Sequence, residues 1–448
     1  MGGRLQDMTE ALLAAARAAG AGAADAMALE DRSVTVDMRG GRLEQAERAE
    51  ATEIGLRVLI GGRQACVSAS DTRPATLRLL ADRAVAMARD APEDPYAGLA
   101  EPGRIGSGCG VEELELCDPA AEPAPEALQD AAREAEAAAL AVRGVTQVAS
   151  ASAQWARRTV YMAATNGFSG GYSLTGNDLS CTAIAGTGTG MQRDGDGDSR
   201  IFRADLRDVR DIGRVAGERA VAMLGARKPP TGAWPVLFDE RVSASLIGHL
   251  LAAANGAAVA RGASWLRGRL GEAVLPASLS LIEDPHRPRA AASRPFDAEG
   301  LPTRKRAIVE DGVLAGWILD LASARKLGLA STANARRCPS APPGPGAWNV
   351  ALTQGAKSRA DLLREMGSGL LVTSLIGATI NPNTGDYSRG AAGFWVENGN
   401  IAWPVNECTI AGHLPGMLTR MTPANDARPW LSRVVPSLLV EGLTLAGE

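Results

Sequence analysis

The sequence has 448 residues, with 47 lysines and arginines against 51 aspartates and glutamates, and a formal net charge of −4. That length predicts two or three domains with ample chain to bury large cores. The near-balanced charge excludes a global basic field of the kind that draws nucleic acid. Lys228, Lys305, Lys326 and Lys357 are the only lysines, a bias toward arginine that reads as genome composition rather than an anion-binding surface. Cys66, Cys109, Cys117, Cys181, Cys338 and Cys408 are scattered without C-x-x-C spacing, as expected for reduced thiols in a cytosolic protein.

The first twenty residues are interrupted by Asp7 and Glu10 and lack an apolar signal core. Gly2 follows Met1, but Gln6 breaks the myristoylation pattern. The longest mostly apolar segment, Gly369 to Ile380, is too short to span a bilayer, so a soluble cytoplasmic protein is expected, with neither membrane nor nucleic acid as partner.

In chain order, Leu5 to Ala19 reads as an Ala-rich helix. Strands follow at Ser33–Met38 and Arg42–Glu47 around Gly40-Gly41, then at Glu53–Ile60 and Arg63–Ser70 around Gly61-Gly62. Thr72 or Asp71 can cap the next helix, with Pro74 in its first turn and Leu77, Leu80, Ala84, Met87 and Ala88 as its buried stripe. Residues 1–98 therefore form a first α+β unit, and the Pro-, Gly- and acid-rich residues 99–124 a connection. A second α+β unit covers 125–228: a helix from Pro125, strands near 145–154, 158–164, 168–172 and 179–187, and a helix at Val209–Leu224. Lys228-Pro229-Pro230-Thr231-Gly232 marks a boundary, because paired prolines cannot continue a helix. Residues 232–448 are strand-rich, with helices at 241–259, 323–327 and 360–366 and a last strand near 437–445. The fold class is α+β throughout.

Asn398-Gly399, between Phe394-Trp395-Val396 and Ile401-Ala402-Trp403, is a strong hairpin signal. Just before it lies the stretch Gly385-Asp386-Tyr387-Ser388-Arg389-Gly390, expected as a Gly-rich polar loop. Asp386, Ser388 and Arg389 are candidate substrate-binding residues, with Arg389 able to grip a peptide carboxylate or carbonyl. A surface loop shaped by its glycines is the plainer alternative. Asp194-Gly195-Asp196-Gly197-Asp198 imitates a calcium loop, but Ser199 replaces the required glycine and Asp205 the closing glutamate, so a solvated turn is expected. His249 adjoins the apolar stripe of Leu246, Leu250 and Ala253 and reads as a buried, hydrogen-bonded histidine. Cys408 and His413 suggest a cysteine nucleophile, against which stands the default burial of a strand thiol.

The ordered set Gly262-Ala263-Ser264-Trp265-Leu266, Glu283-Asp284-Pro285, Pro295-Phe296-Asp297-Ala298-Glu299-Gly300, Ala324-Arg325-Lys326-Leu327-Gly328, Ser331-Thr332-Ala333-Asn334-Ala335 and the 385–418 stretch resembles the TldD/PmbA family. With the two N-terminal units the resemblance covers nearly the whole chain, and it points to the PmbA (TldE) branch. The family's catalytic branch carries H-E-x-x-x-H on the helix opening the third domain, plus a C-terminal cysteine. Here Ser243–Gly256 offers His249 alone and no glutamate, and Arg428–Pro436 has no cysteine. The resemblance therefore implies no catalytic or metal-binding residue and no cofactor in this chain, with zinc on a TldD-type partner in a heterodimer. This subunit would help enclose a chamber for unfolded or small peptides. Trp265, Trp317, Phe394, Trp395, Trp403 and Trp430 mark candidate partner surfaces. The alternatives are a standalone binding or regulatory protein and an independent cysteine hydrolase.

Overall fold

The computed structural model describes residues 3–447, apart from the side chain of Ala378. Met1, Gly2 and Glu448 lie outside the described residues, the lipidation pattern read at Gly2 with them. The N-terminal half runs α1 (Gly3–Ala18), β1 (Ala23–Arg39), β2 (Arg42–Ile60), β3 (Arg63–Ala69), α2 (Pro74–Asp90), α3 (Pro125–Leu140), β4 (Val145–Ala164), β5 (Ser169–Ala185), β6 (Gln192–Arg200) and α4 (Val209–Ala222). The two helix-and-strand units share one six-stranded antiparallel sheet, ordered β3-β2-β1-β4-β5-β6. Its seam is the pairing of β1 with β4, from Asp25 opposite Ala164 to Met38 opposite Ala151.

Strand alternation sorts β1 onto two faces. Ala24, Ala26 and Ala28 pack with α1 and α2, while Val34, Val36 and Met38 pack with α3 and α4. Met27 turns the other way and joins Val160, Met162, Phe168 and Phe296, the last of these from the C-terminal body. The expected pauses in β2, β4 and β5 do not exist; each strand runs unbroken. In β2 the apolar pattern lapses because residues 42–51 are exposed. That segment extends beyond the reach of β3, which pairs only with Ile54–Ile60. Arg42, Glu44, Glu47, Arg48 and Glu50 there suit an open edge, where charge discourages pairing with other chains.

The solvated turn expected at Asp194–Asp198 is instead part of β6. Asp196 and Asp198 are each 8 % exposed. Asp194 meets Arg241 at 3.4 Å, Asp196 meets Arg207 and Arg219 at 2.7 and 2.8 Å, and Asp198 meets Arg200 at 2.9 Å. The carboxylates answer arginines from the strand, α4 and the C-terminal body, and this explains their number without calcium.

The C-terminal body contains β7 (Gly232–Phe238), α5 (Glu240–Ala253), α6 (Gly256–Arg261), β8 (Leu281–Glu283), β9 (Arg306–Glu310), β10 (Val313–Leu314), α7 (Leu321–Leu327), β11 (Ala335–Arg336), β12 (Gly344–Pro345), β13 (Val350–Leu352), α8 (Arg359–Met366), β14 (Gly369–Ile380), β15 (Asp386–Glu397), β16 (Asn400–His413), α9 (Leu414–Thr419), β17 (Met421–Pro423), β18 (Arg433–Val434) and β19 (Leu438–Ala446). The helix expected over 241–259 is two helices, because Asn255 caps α6 through the amides of Ala257 and Ala258. One sheet is ordered β16-β15-β14-β7-β19-β17, with β16 also pairing β19, and a five-stranded sheet runs β10-β9-β8-β13-β18. The β15–β16 turn has positive φ at both Asn398 (49°) and Gly399 (75°), the geometry that Asn-Gly favours.

The body docks on the N-terminal sheet through a buried ion cluster. Asp25 of β1 accepts from Arg57 Nε at 2.7 Å and from the guanidinium of Arg337. The Arg57 and Arg337 side chains are 4 % and 1 % exposed. Burial alone would raise the Asp25 carboxyl, but Arg337 and then Arg57 outweigh it and hold it below the usual range. Close approach is permitted by Gly55, where a Cβ would stand 2.3 Å from the Pro339 carbonyl oxygen. Asp25→Asn leaves two buried guanidiniums without their counter-ion, and we expect a loss of about 3–5 kcal/mol. Urea denaturation of wild type and variant checks this; a midpoint shift equivalent to less than about 1 kcal/mol would contradict it.

Candidate functional site

The side chains nearest to a candidate site converge where α5 meets β15. Asp239 caps α5 by accepting from the Arg241 amide, and Leu246, Ile247, Leu250 and Leu251 bury one helix face. This leaves Gly248 and His249 toward the neighbouring segments. A Cβ at Gly248 would lie 3.0 Å from Arg433 Nη1, so glycine makes room for that guanidinium. The His249 ring meets Tyr387 edge-on, with centroids 5.9 Å apart.

His249 is half-buried rather than fully buried, and its Nε2 is sealed from solvent without the hydrogen bond expected from sequence. Burial first, then Arg389 and Arg433, lower its pKa from 6.5. Tyr387 is 2 % exposed, its hydroxyl lies close to Arg389 without meeting it in good hydrogen-bond geometry, and burial pushes its pKa up to about 12. The centre thus pairs a neutral imidazole with a neutral phenol beside two permanent cations. It can orient a polar group or accept an anion, but the donor set does not fit a divalent metal: α5 offers one imidazole, and guanidiniums repel cations. Among the described residues no three His, Cys, Asp or Glu side chains gather in a metal-binding group.

The stretch expected as a Gly-rich loop is already strand from Asp386 onward. Asp386 pairs with His413, Ser388 with Ala411 and Arg389 with Ile410. Alternation therefore separates the three candidate residues. Arg389 shares a face with Tyr387 and donates from Nε to the Gly377 carbonyl at 2.6 Å. Asp386 and Ser388 lie on the opposite face, where exposed Asp386 accepts from Thr384 Oγ1 at 2.6 Å. Tyr387 and Arg433 were missed; reading Asp386–Arg389 as strand would have placed Tyr387 beside Arg389.

Cys408 and His413 do not form a dyad. Their separation along β16 is odd, so they face opposite ways, about 16 Å apart at strand rise. The Cys408 thiol is buried, donates to the Ala391 carbonyl at 3.2 Å and is pushed up to about 11 by burial, the state of an inert core thiol. His413 is exposed, with Nε2 2.8 Å from the Thr384 carbonyl. Of the aromatic partner candidates, Trp317 (5 % exposed) and Trp395 (4 %) are core residues. Trp265, Phe394, Trp403 and Trp430 keep partial exposure.

Three domain families match in series: PmbA/TldA metallopeptidase domain 1 over residues 24–88, the central domain over 118–224 and the C-terminal domain over 231–447. The metalloprotease PmbA of Escherichia coli O157:H7 is 35% identical over 416 residues, covering 93% of this chain and 90% of its own length. A crystal structure from Bacteroides thetaiotaomicron, described as a candidate modulator of DNA gyrase, superposes with a TM-score of 0.91 at 26% identity, covering 99% of this chain and 98% of its own. TldE from Thermococcus kodakarensis shares the fold at a TM-score of 0.86 and 20% identity, covering 98% and 100%. The chain belongs to the PmbA/TldD metallopeptidase family. Among the described residues, no helix is long and apolar enough to cross a membrane.

The cation-flanked imidazole has a measurable consequence. A histidine whose folded pKa is depressed stabilises the fold above its unfolded value of about 6.5, and that contribution is lost as pH falls through the lower folded value. In NMR of histidine-labelled protein, the signal that disappears in His249→Gln titrates below 6.5. A midpoint at or above 6.5 would show that burial, Arg389 and Arg433 together do not depress this ring.

Proposed function

We propose that this chain is the PmbA (TldE)-type subunit of a heterodimeric zinc metallopeptidase that cleaves unfolded or small peptides. In this reading the zinc and its H-E-x-x-x-H helix belong to a TldD-type partner, and this chain completes the peptide chamber. The observation that carries it is the composition of the α5 centre: in a chain with metallopeptidase-family domains along nearly its whole length, His249 stands between Arg389 and Arg433 with no second imidazole. Such a centre can steer the anionic or polar groups of a peptide without doing the hydrolysis. The residues with partial exposure that remain for the partner are Trp265, Phe394, Trp403 and Trp430.

Co-expression with a TldD-type chain should yield a stable complex, since an obligate interface buries on the order of 2,000 Å² or more. Metal analysis of that complex should find zinc in proportion to the partner, and none at stoichiometric level in this chain alone. A lone monomer or homodimer that ignores the partner would instead favour a standalone binding protein, the reading suggested by the gyrase-modulator description of the structural relative.

Arg389→Ala should lower peptide turnover by the assembled complex about ten- to a hundredfold, the cost of a lost charge-assisted contact. Turnover of an unstructured peptide, compared at equal assembly by size exclusion, measures this. Unchanged turnover would leave Arg389 with only its structural bond to Gly377.

A further inference from the structure

A second polar centre lies far along the chain from the α5 residues, where the C-terminal body covers the sheet. It is a cleft of about 280 Å³, at the low end of small-ligand pockets. One wall is apolar and comes from β1 and β4: Met27, Leu29, Val160 and Met162. The opposite wall carries Phe296, packed 5.7 Å from Tyr172, and three arginines of the C-terminal body, Arg294, Arg336 and Arg337.

These arginines are unusual in what they lack. Among the described residues, Arg294 donates to the Ala291 and Ser293 carbonyls, at 3.0 and 2.6 Å, and rests over Tyr172. Arg336 lies over the Trp348 ring at 5.0 Å. Among the described residues, neither has a carboxylate within ion-pair distance. Arg337 engages Asp25 with Nη1 and is sealed from solvent with its side chain 1 % exposed, so it adds positive field to the cleft without offering it a donor.

The acids lining the same cleft are already engaged. Asp31 is held by Arg158 Nε and Nη2 at 2.6 and 3.0 Å. Asp297 accepts from the amides of Glu299, Leu301 and Ala335 at 2.9, 3.0 and 3.1 Å. Glu53, opposite Leu29 on β2, lies in the field of Arg158. Burial, and then the neighbouring Arg294, hold the Arg336 guanidinium below its usual range, so two like charges crowd each other there.

We propose that this cleft binds small amphipathic carboxylates, with the carboxylate on Arg294 and Arg336 and the apolar part against Met27, Leu29, Val160 and Met162. Guanidinium forks match a carboxylate in shape and charge, and the apolar wall recovers further free energy from a side chain or short alkyl body. A peptide C-terminus with an apolar last residue belongs to this class. To that extent the inference deepens the peptidase reading and rests on it, but a non-peptide acid of the same shape satisfies the same groups.

The test uses the full chain without a partner, so it stands or falls separately from heterodimer assembly. Calorimetric titration compares N-acetyl-Leu-Phe, its C-terminal amide and octanoate. The free acid should bind about ten- to a hundredfold more tightly than the amide, and Arg294→Gln and Arg336→Gln should each erase most of that difference while circular dichroism stays unchanged. Octanoate binding as tightly as the peptide acid supports the carboxylate site with a non-peptide source. Equal binding of acid and amide, no binding of either acid, or full affinity in folded Arg294→Gln and Arg336→Gln would overturn the proposal.

Discussion

The antiparallel pairing of β1 with β4 is the constraint on which the rest of the architecture depends. Each N-terminal unit alone would present an open strand edge and half a sheet. Joined, they make one surface with two uses: the face bearing Ala24, Ala26, Ala28, Val34, Val36 and Met38 takes both helix pairs, and the other face takes the C-terminal body. Asp25, at the start of this seam, lies where the carboxylate can meet Arg57 of the sheet and Arg337 of the body together. The seam and the ion cluster thus locate the cleft that the two parts share.

Polar chemistry in this protein is dominated by arginine, and its placement separates structural from available charge. Around β6 and α5, arginines are consumed by buried aspartates, as in the Asp196 pairs with Arg207 and Arg219. Beside His249, and at Arg294 and Arg336 in the cleft under β1, guanidiniums stand without a carboxylate in ion-pair distance among the described residues. A low-dielectric setting makes such uncompensated cations effective toward anions and hostile to metal ions.

The α5 centre also shows why one histidine is not half a metal site. In a zinc site the second ligand shell orients an imidazole and supports its basicity. Here that support is missing: Nε2 meets no hydrogen-bond partner, and Arg389 and Arg433 put a positive field where a metal ion would have to sit.

Local patterns were legible in the sequence by itself: the α+β class, the helix with Pro74 in its first turn and the Asn398-Gly399 hairpin turn, because each depends on a few adjacent residues whose backbone preferences are strong. The family resemblance was also legible, since it rests on an ordered set of short motifs. What lay beyond the sequence depends on partners distant along the chain. Residues 42–51 of β2 look like a broken strand because their apolar alternation stops, yet β1 supplies their hydrogen bonds. Asp194–Asp198 look like a turn until arginines from α4 and α5 reach them. Asp386, Ser388 and Arg389 read as one loop site, whereas pairing with β16 sends Arg389 to one face and the other two to the opposite face. Only the tertiary structure could bring Arg433 to His249, or Arg337 to Asp25, because nothing in the intervening sequence specifies those approaches.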